Sequence, residues 1–244
     1  MAFQTVFKRY ELKYLLTKEE KDRILSAILP YMQLDDYGLT TIRNLYFDTD
    51  SYQLIRRSLE GPIYKEKLRL RSYTKATDDS IVFAELKKKY DSVVYKRRLG
   101  LREADAVSWL SGNGMPLLDS QISREIDYFI HFYDRLTPKA FLSYEREAYY
   151  TKEASDFRLT FDQHILFRDE ALSLKEDVWG GPVIDDNMVL MEIKTSCGMP
   201  LWMVSALSEN GIRKRSFSKY GAAYRTYIYP KINKNKMFKG VCIS

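Results

Sequence analysis

In Lys67-Leu68-Arg69-Leu70-Arg71 every second residue is a cation. A strand sends successive side chains to opposite faces, so Lys67, Arg69 and Arg71 share one face while Leu68 and Leu70 share the other. The pattern returns in Arg9-Tyr10-Glu11-Leu12-Lys13, Phe83-Ala84-Glu85-Leu86-Lys87-Lys88-Lys89, Tyr144-Glu145-Arg146, Asp156-Phe157-Arg158-Leu159-Thr160-Phe161-Asp162 and Leu190-Met191-Glu192-Ile193-Lys194. A single charged strand face is what any solvated sheet shows. Its repetition, with many Lys and Arg among a few Glu and Asp, suggests a sheet wrapped around a polyanion and its metal ion. Arg offers a planar fork to phosphate oxygens and Lys a point charge, so a mixture of both suits a chain of phosphates better than one carboxylate.

The acidic residues on these faces have two readings. Glu192 interrupts the apolar run Val189–Ile193 and shares a face with Lys194. It is either an oxygen ligand for Mg²⁺ or Mn²⁺, ions that bind phosphates through few protein carboxylates, or an ion-pair partner of Lys194 or an Arg. Glu11, Glu85 and Asp162 are secondary ligand candidates, or they position the Arg and Lys side chains. The basic stretch Arg213-Lys214-Arg215-Ser216-Phe217-Ser218-Lys219-Tyr220 precedes a helix with Ser218 as N-cap. Its plain alternative is a solvated basic loop.

Other chemistries find no support. His131 and His164 are isolated, no nucleophile–base pair stands out, and Walker, glycine-rich dinucleotide and zinc patterns are missing. Cys197 and Cys242 have neither redox nor metal spacing. With 39 Lys and Arg against 33 Asp and Glu, the net charge of +6 favours anionic partners without identifying one. No nucleic-acid module is recognisable, so a nucleic-acid partner is not expected. Apolar runs are shorter than the ~20 residues of a membrane span, and the N-terminus lacks the apolar core of a signal peptide; a cytoplasmic location is expected.

These residues must be carried by strands. Strands are expected at Ile42–Asp48, Tyr64–Tyr73, Ile81–Lys89, Val93–Arg98, Ala140–Tyr150, Asp156–Asp162 and Met188–Lys194, after a first strand around Arg9–Lys13. Tyr90-Asp91-Ser92 reads as a hairpin turn. Helices are expected after the capping box Thr17-Lys18-Glu19-Glu20, at Leu101–Leu110, Ile122–Leu136, Leu201–Leu207 and Tyr220–Tyr227. The expected fold is α+β: a closed antiparallel β-barrel, or tunnel, of about eight strands with a polar basic lumen, surrounded by helices. A single domain over residues 1–244 is expected, with a basic C-terminal tail at 230–244.

From Phe7 to about Tyr227 the chain resembles the polyphosphate polymerase (VTC) domain of the CYTH-like triphosphate tunnel metalloenzymes. The matching segments are Arg9-Tyr10-Glu11-Leu12-Lys13-Tyr14, Leu45-Tyr46-Phe47-Asp48, Leu68-Arg69-Leu70-Arg71, Glu85-Leu86-Lys87, Tyr144-Glu145-Arg146, Arg158-Leu159-Thr160-Phe161-Asp162, Met191-Glu192-Ile193-Lys194 and Phe217-Ser218-Lys219-Tyr220. The superfamily's Glu-x-Glu-x-Lys signature has Arg9 in place of its first Glu, which speaks against simple triphosphatase chemistry. The resemblance implies that Lys13, Arg69, Arg71, Lys87, Arg146 and Arg158 hold the reacting phosphates and that Glu192 holds Mn²⁺ or Mg²⁺. Lys96, Ser218 and Lys219 would also contact phosphate, and Glu11, Lys67, Lys89, Tyr144, Lys194 and Arg215 would complete the substrate site. It further implies transfer of the γ-phosphate of ATP to a growing inorganic polyphosphate chain. The alternatives are an inorganic triphosphatase or polyphosphatase in the same tunnel and a non-catalytic polyphosphate or nucleotide binder. The chain shows neither the membrane segments nor the SPX domain of eukaryotic polymerase subunits, so delivery across a membrane would need a membrane partner protein.

Overall fold

The computed structural model describes residues 10–91, 93–114, 119–153, 155–196 and 198–240; Arg9, Ser92, Cys197 and Cys242 lie outside them. The strands are β1 (Tyr10–Thr17), β2 (Met32–Leu34), β3 (Thr40–Asp48), β4 (Tyr64–Ser72), β5 (Ile81–Tyr90), β6 (Val93–Arg102), β7 (Thr137–Thr151), β8 (Arg158–Arg168), β9 (Gly181–Pro182) and β10 (Met188–Thr195). The helices are α1 (Lys18–Ile28), α2 (Gln53–Leu59), α3 (Glu103–Leu110), α4 (Gln121–Phe132), α5 (Leu201–Glu209), α6 (Lys219–Ala223) and α7 (Tyr229–Gly240), the last two joined by a π-helical turn, Tyr224–Ile228.

All strand pairings are antiparallel, in the order β1-β10-β8-β7-β3-β4-β5-β6, with β2 beside β7 and β9 beside β8. This corrects the expected closed barrel. β1 and β6 approach each other but exchange no backbone ladder, so the result is one open, curled sheet. A side-chain ion pair, Lys87 of β5 to Glu11 of β1 at 2.6 Å, reaches across the gap. Alternation along a strand fixes which face a residue takes. Closure instead requires matched tilt and stagger between the first and last strands, which no single strand encodes.

Apolar packing shapes the sheet from both sides. On its outer face Leu45, Leu68, Leu70, Val82, Ala84 and Leu86 pack with Ala106 and Trp109 of α3 and Ile126, Phe129 and Ile130 of α4. Tyr14, Leu159, Phe161, Met191 and Ile193 pack with Ile24 and Ile28 of α1 and Met203 and Ala206 of α5. On the inner face, Ile42, Tyr46, Ala140, Leu142 and Leu190 receive Tyr220, Ala223, Tyr224 and Ile228 of the C-terminal helical run. The inner face is therefore filled with apolar side chains at one end and left polar elsewhere.

Local signals set several boundaries. Thr17 Oγ1 accepts from Glu20 N while Glu20 Oε2 accepts from Thr17 N, the capping box read from the sequence. The strand expected at Val93–Arg98 runs on to Arg102, so Leu101 and Arg102 belong to it and α3 starts at Glu103. α2 was not expected. Buried Asp48 nucleates it by accepting from Leu54 N at 2.9 Å and Ile55 N at 3.0 Å, with the Tyr220 hydroxyl donating to the same carboxylate.

Candidate functional site

Cross-strand register puts the alternating charges on one face. Glu11 lies opposite Lys194, Lys13 opposite Glu192, Lys194 opposite Arg158, and Arg146 opposite Asp162. Arg69 lies opposite Glu85, Lys67 opposite Lys87, and Lys87 opposite Lys96. Directly opposed residues share a face, so these side chains all start from the inner surface of the curled sheet.

Two buried carboxylates organise most of the cations. Glu85, 1% exposed, takes Arg69 at 2.7 Å, Arg98 at 2.5 Å, Lys96 at 2.6 Å and Arg71 at 3.8 Å. Arg69 also donates to the Tyr46 hydroxyl at 2.8 Å, and Arg71 to Asn44 Oδ1 at 3.0 Å and the Tyr144 hydroxyl at 3.1 Å. Asp162, fully buried, takes Arg146 through a two-pronged contact at 2.6 and 2.7 Å and accepts from Lys219. Burial alone would push both carboxyls up, but Arg71 and Arg69 at Glu85, and Arg146 and Lys219 at Asp162, hold them below the ordinary range.

Glu192 sits among Lys219 at 3.2 Å, Lys13 at 3.4 Å, Lys194 at 3.6 Å and Arg146 at 3.7 Å. These cations outweigh burial and keep its carboxyl well below the usual range. Glu11, paired with Lys87, is pushed down to about 2: burial raises it, while Lys87 and Lys194 pull it down more. Glu11 and Glu192 lie diagonally across the β1–β10 pairing, Glu11 opposite Lys194 and Glu192 opposite Lys13.

The cations outnumber these carboxylates, and lysines absorb the strain. Burial, then Lys13, Lys87, Arg69 and Lys65, lowers Lys67 to about 7. Burial and the nearby Arg71, Arg98 and Arg69 lower Lys96 to about 6 despite Glu85. Lys194 and half-buried Lys89 are lowered too, first by burial. Tyr144 is lowered as well, but against its burial. Burial would raise its hydroxyl, but Arg71, Arg146 and Lys219 bring it down to about 8, with Arg146 5.1 Å and Lys219 4.5 Å from its ring centre.

The segment before α6 closes over this surface. Lys13 Nζ donates to Phe217 O at 2.9 Å, and Arg215 N donates to Lys13 O at 2.8 Å. Ser218 caps α6 by accepting from Gly221 N at 3.1 Å, and its Oγ lies 2.8 Å from Lys67 Nζ. Lys219 is buried, pointing back to Asp162 and Glu192.

The structure thus brings together Glu11, Lys13, Lys67, Arg69, Arg71, Lys87, Lys96, Tyr144, Arg146, Glu192, Lys194, Ser218 and Lys219, with Lys89 at the margin. Arg158 shares the face but is exposed at the start of β8, and the Arg215 side chain is exposed. Sequence reasoning missed Arg98, although Lys96 and Arg98 have the alternation seen elsewhere. It also missed Asn44 and Tyr46, whose roles arise from neighbouring strands. Nor was a serine–amine pair visible: Lys67 and Ser218 are 151 residues apart.

For a divalent ion, no group of three His, Cys, Asp or Glu gathers among the described residues. Glu192 with the diagonally placed Glu11 fits an ion that draws the rest of its oxygen shell from bound phosphates and water. No helix among the described residues is long and apolar enough to cross a membrane.

Solved structures share this architecture. A Bacillus halodurans protein named for an inferred adenylate cyclase activity matches with a TM-score of 0.58 and 17% identity, over 92% of this chain and 100% of its own. A Hippeastrum protein named as an adenylyl cyclase, and described as having a dominant triphosphatase activity, matches at 0.53 and 17% over 90% and 96%. A Vibrio parahaemolyticus protein named like the first matches at 0.50 and 13% over 91% and 98%. At these identities the likeness is one of fold. A search of curated protein sequences gives no significant match. The VTC domain model matches residues 8–228, nearly the whole sheet and its helices, and the chain belongs to the VTC domain family.

Proposed function

We propose that this protein is a phosphate-handling enzyme that transfers the γ-phosphoryl group of ATP to a growing inorganic polyphosphate chain and releases ADP. The carrying observation is the crowd of partly buried cations on one sheet face, where burial first and then like charges lower Lys67 to about 7 and Lys96 to about 6. A buried face with unbalanced like charge is costly to the fold, and a polyanion removes that cost.

Glu85, shared among four cations, and Asp162, shared by Arg146 and Lys219, act as internal stand-ins for phosphate oxygens. An entering phosphate chain takes over part of that coordination. Arg69, Arg71, Lys96 and Arg146 would hold the triphosphate, and Lys13, Lys87 and Lys219 the acceptor chain. Phosphoryl transfer needs mainly alignment and fixed positive charge, and the chain's terminal phosphate oxygen serves as nucleophile. A divalent ion, Mn²⁺ or Mg²⁺, would be held by Glu192 with Glu11 and would neutralise charge on the transferred group. Arg158 and Arg215, both exposed, would meet the chain only where it leaves the site. A cytoplasmic location, with a membrane partner supplying any channel, belongs to the same reading.

Hydrolysis is the second reading, favoured by the triphosphatase activity described for the Hippeastrum neighbour. Product analysis with ATP and Mn²⁺ tests both. Long polymer with ADP supports the polymerase, orthophosphate without polymer supports the hydrolase, and tight binding without turnover overturns both in favour of a binder.

A further inference from the structure

We propose that Ser218 is a phosphoryl acceptor, with Lys67 as its base, on which the protein fixes the first phosphate of a new chain. The inference rests on the reading that a nucleoside triphosphate binds this face, and it concerns how synthesis begins when no chain is present to accept.

The geometry is that of an activated hydroxyl. Ser218 Oγ and Lys67 Nζ are 2.8 Å apart, within reach for direct proton transfer. Gly221 N donates to Oγ at 3.1 Å and fixes the side-chain rotamer. In the structure Lys67 Nζ donates to the same Oγ; once the amine has lost its proton the hydroxyl hydrogen can turn to it, leaving one lone pair with Gly221 N and the other for attack. A Cβ on Gly221 would lie 3.2 Å from both Ser218 Cβ and Oγ and 2.9 Å from Leu59, so glycine keeps this hydroxyl uncrowded.

The backbone around Ser218 is anchored on both sides. Phe217 O is held by Lys13 Nζ at 2.9 Å, and Lys219 is tied to Asp162 and Glu192. A nucleophile on such a fixed segment needs little reorganisation to reach a phosphate lodged on the cationic face. Lys67 also has the protonation state a base requires. Burial and its cationic neighbours bring it down to about 7, so a substantial fraction is free amine at neutral pH.

The step balances with the triphosphate alone. Ser218 Oγ attacks the γ-phosphorus and its proton passes to Lys67 Nζ. The new Oγ–P bond forms as the bond from the γ-phosphorus to the β–γ bridging oxygen breaks. The nucleoside diphosphate leaves with that electron pair, and phosphoserine remains among Lys67, Lys13 and Lys219. Its terminal oxygens are then chemically equivalent to a chain end.

The test uses the full chain, treated with phosphatase and repurified, then given γ-³²P-labelled ATP and Mn²⁺ under single-turnover conditions. After washing in denaturant, covalent label is expected on one peptide, at Ser218, stable to acid and released by strong alkali. Ser218→Ala should abolish it. Ser218→Thr, which keeps a hydroxyl and a cap, should move it to the threonine. Lys67→Met should slow labelling about 100-fold, the lower end of what a general base supplies. Tripolyphosphate-induced thermal stabilisation of each variant reports that the fold and binding face survive. Unlabelled wild-type protein, label on another residue, or normal labelling of Lys67→Met overturns the inference. ATP turnover without phosphoserine leaves the proposed function standing and removes only the priming step. Phosphoserine without polymer keeps the acceptor and removes polymer synthesis.

Discussion

Glu85→Gln is the sharpest probe of the idea that internal carboxylates stand in for phosphate. The substitution keeps shape but removes the one negative charge shared by Arg69, Arg71, Lys96 and Arg98. It also turns an amide N–H₂ toward guanidinium groups that are themselves donors. Breaking a buried charge cluster by deleting one partner costs about 3–5 kcal/mol. For a chain of this size that lowers the melting temperature by roughly 6–20 °C. Because Arg71 and Asn44 and Arg69 and Tyr46 keep their other bonds, the loss should not exceed that range. Burial opposes the Glu85 charge, but its cations hold the carboxyl well below the glutamate range. Its contribution is therefore present above the unfolded value near 4.3 and is lost only as pH falls through the lower folded value. The deficit of the variant should persist from pH 8 to about pH 5 and widen below about pH 7, as Lys96, lowered to about 6 beside Glu85, takes up its proton. Tripolyphosphate should restore more stability to the variant than to wild type, since its oxygens take over the abandoned cations. Thermal melts of both proteins, with and without tripolyphosphate, read all of this. A loss under about 1 kcal/mol, or equal stabilisation of both by the ligand, would refute the stand-in argument.

The same electrostatics predicts four further results. Lys67, Lys96 and Lys194 are lowered in the fold, so the ligand-free protein should gain stability as pH climbs from about 7 toward the unfolded lysine value near 10.4. Bound phosphate raises these amines again, so calorimetry at pH 8 in buffers of different ionisation enthalpy should register proton uptake; buffer-independent heats would contradict it. Arg69→Ala should weaken tripolyphosphate binding by about 1.5–3 kcal/mol, while Arg158→Ala, at an exposed strand end, should cost under ~1 kcal/mol. Equal effects in a titration would mean that the buried cluster is not the binding surface. Glu192→Gln should keep metal-free ATP binding yet lose most metal-dependent turnover, and an unshifted metal-activation curve would reduce Glu192 to an ion-pair partner of Lys219 and Lys13.

What could be read from the sequence followed the strand's own period. Lys67, Arg69 and Arg71 share a face because of local backbone geometry, and the register then aligns that face with Lys13, Lys87 and Arg146. Thr17 and Ser218 were legible as caps for the same reason: a cap is decided within three residues. Features set by distant partners were not legible. α2 begins after Tyr52 at φ 56° and is held by Asp48, whose aspartate looked like the polar end of a strand. Closure was misread because alternation carries no information about whether β1 and β6 meet. The open seam follows from what lies there. Glu11 and Lys87 reach across it as a pair, where a continuous ladder would bring Lys13, Lys67 and Lys87 into still closer confinement. Burial, and after it these like charges, already lower Lys67, and tighter closure without an anion would raise the repulsion further. An edge that stays unzipped relieves the cationic face.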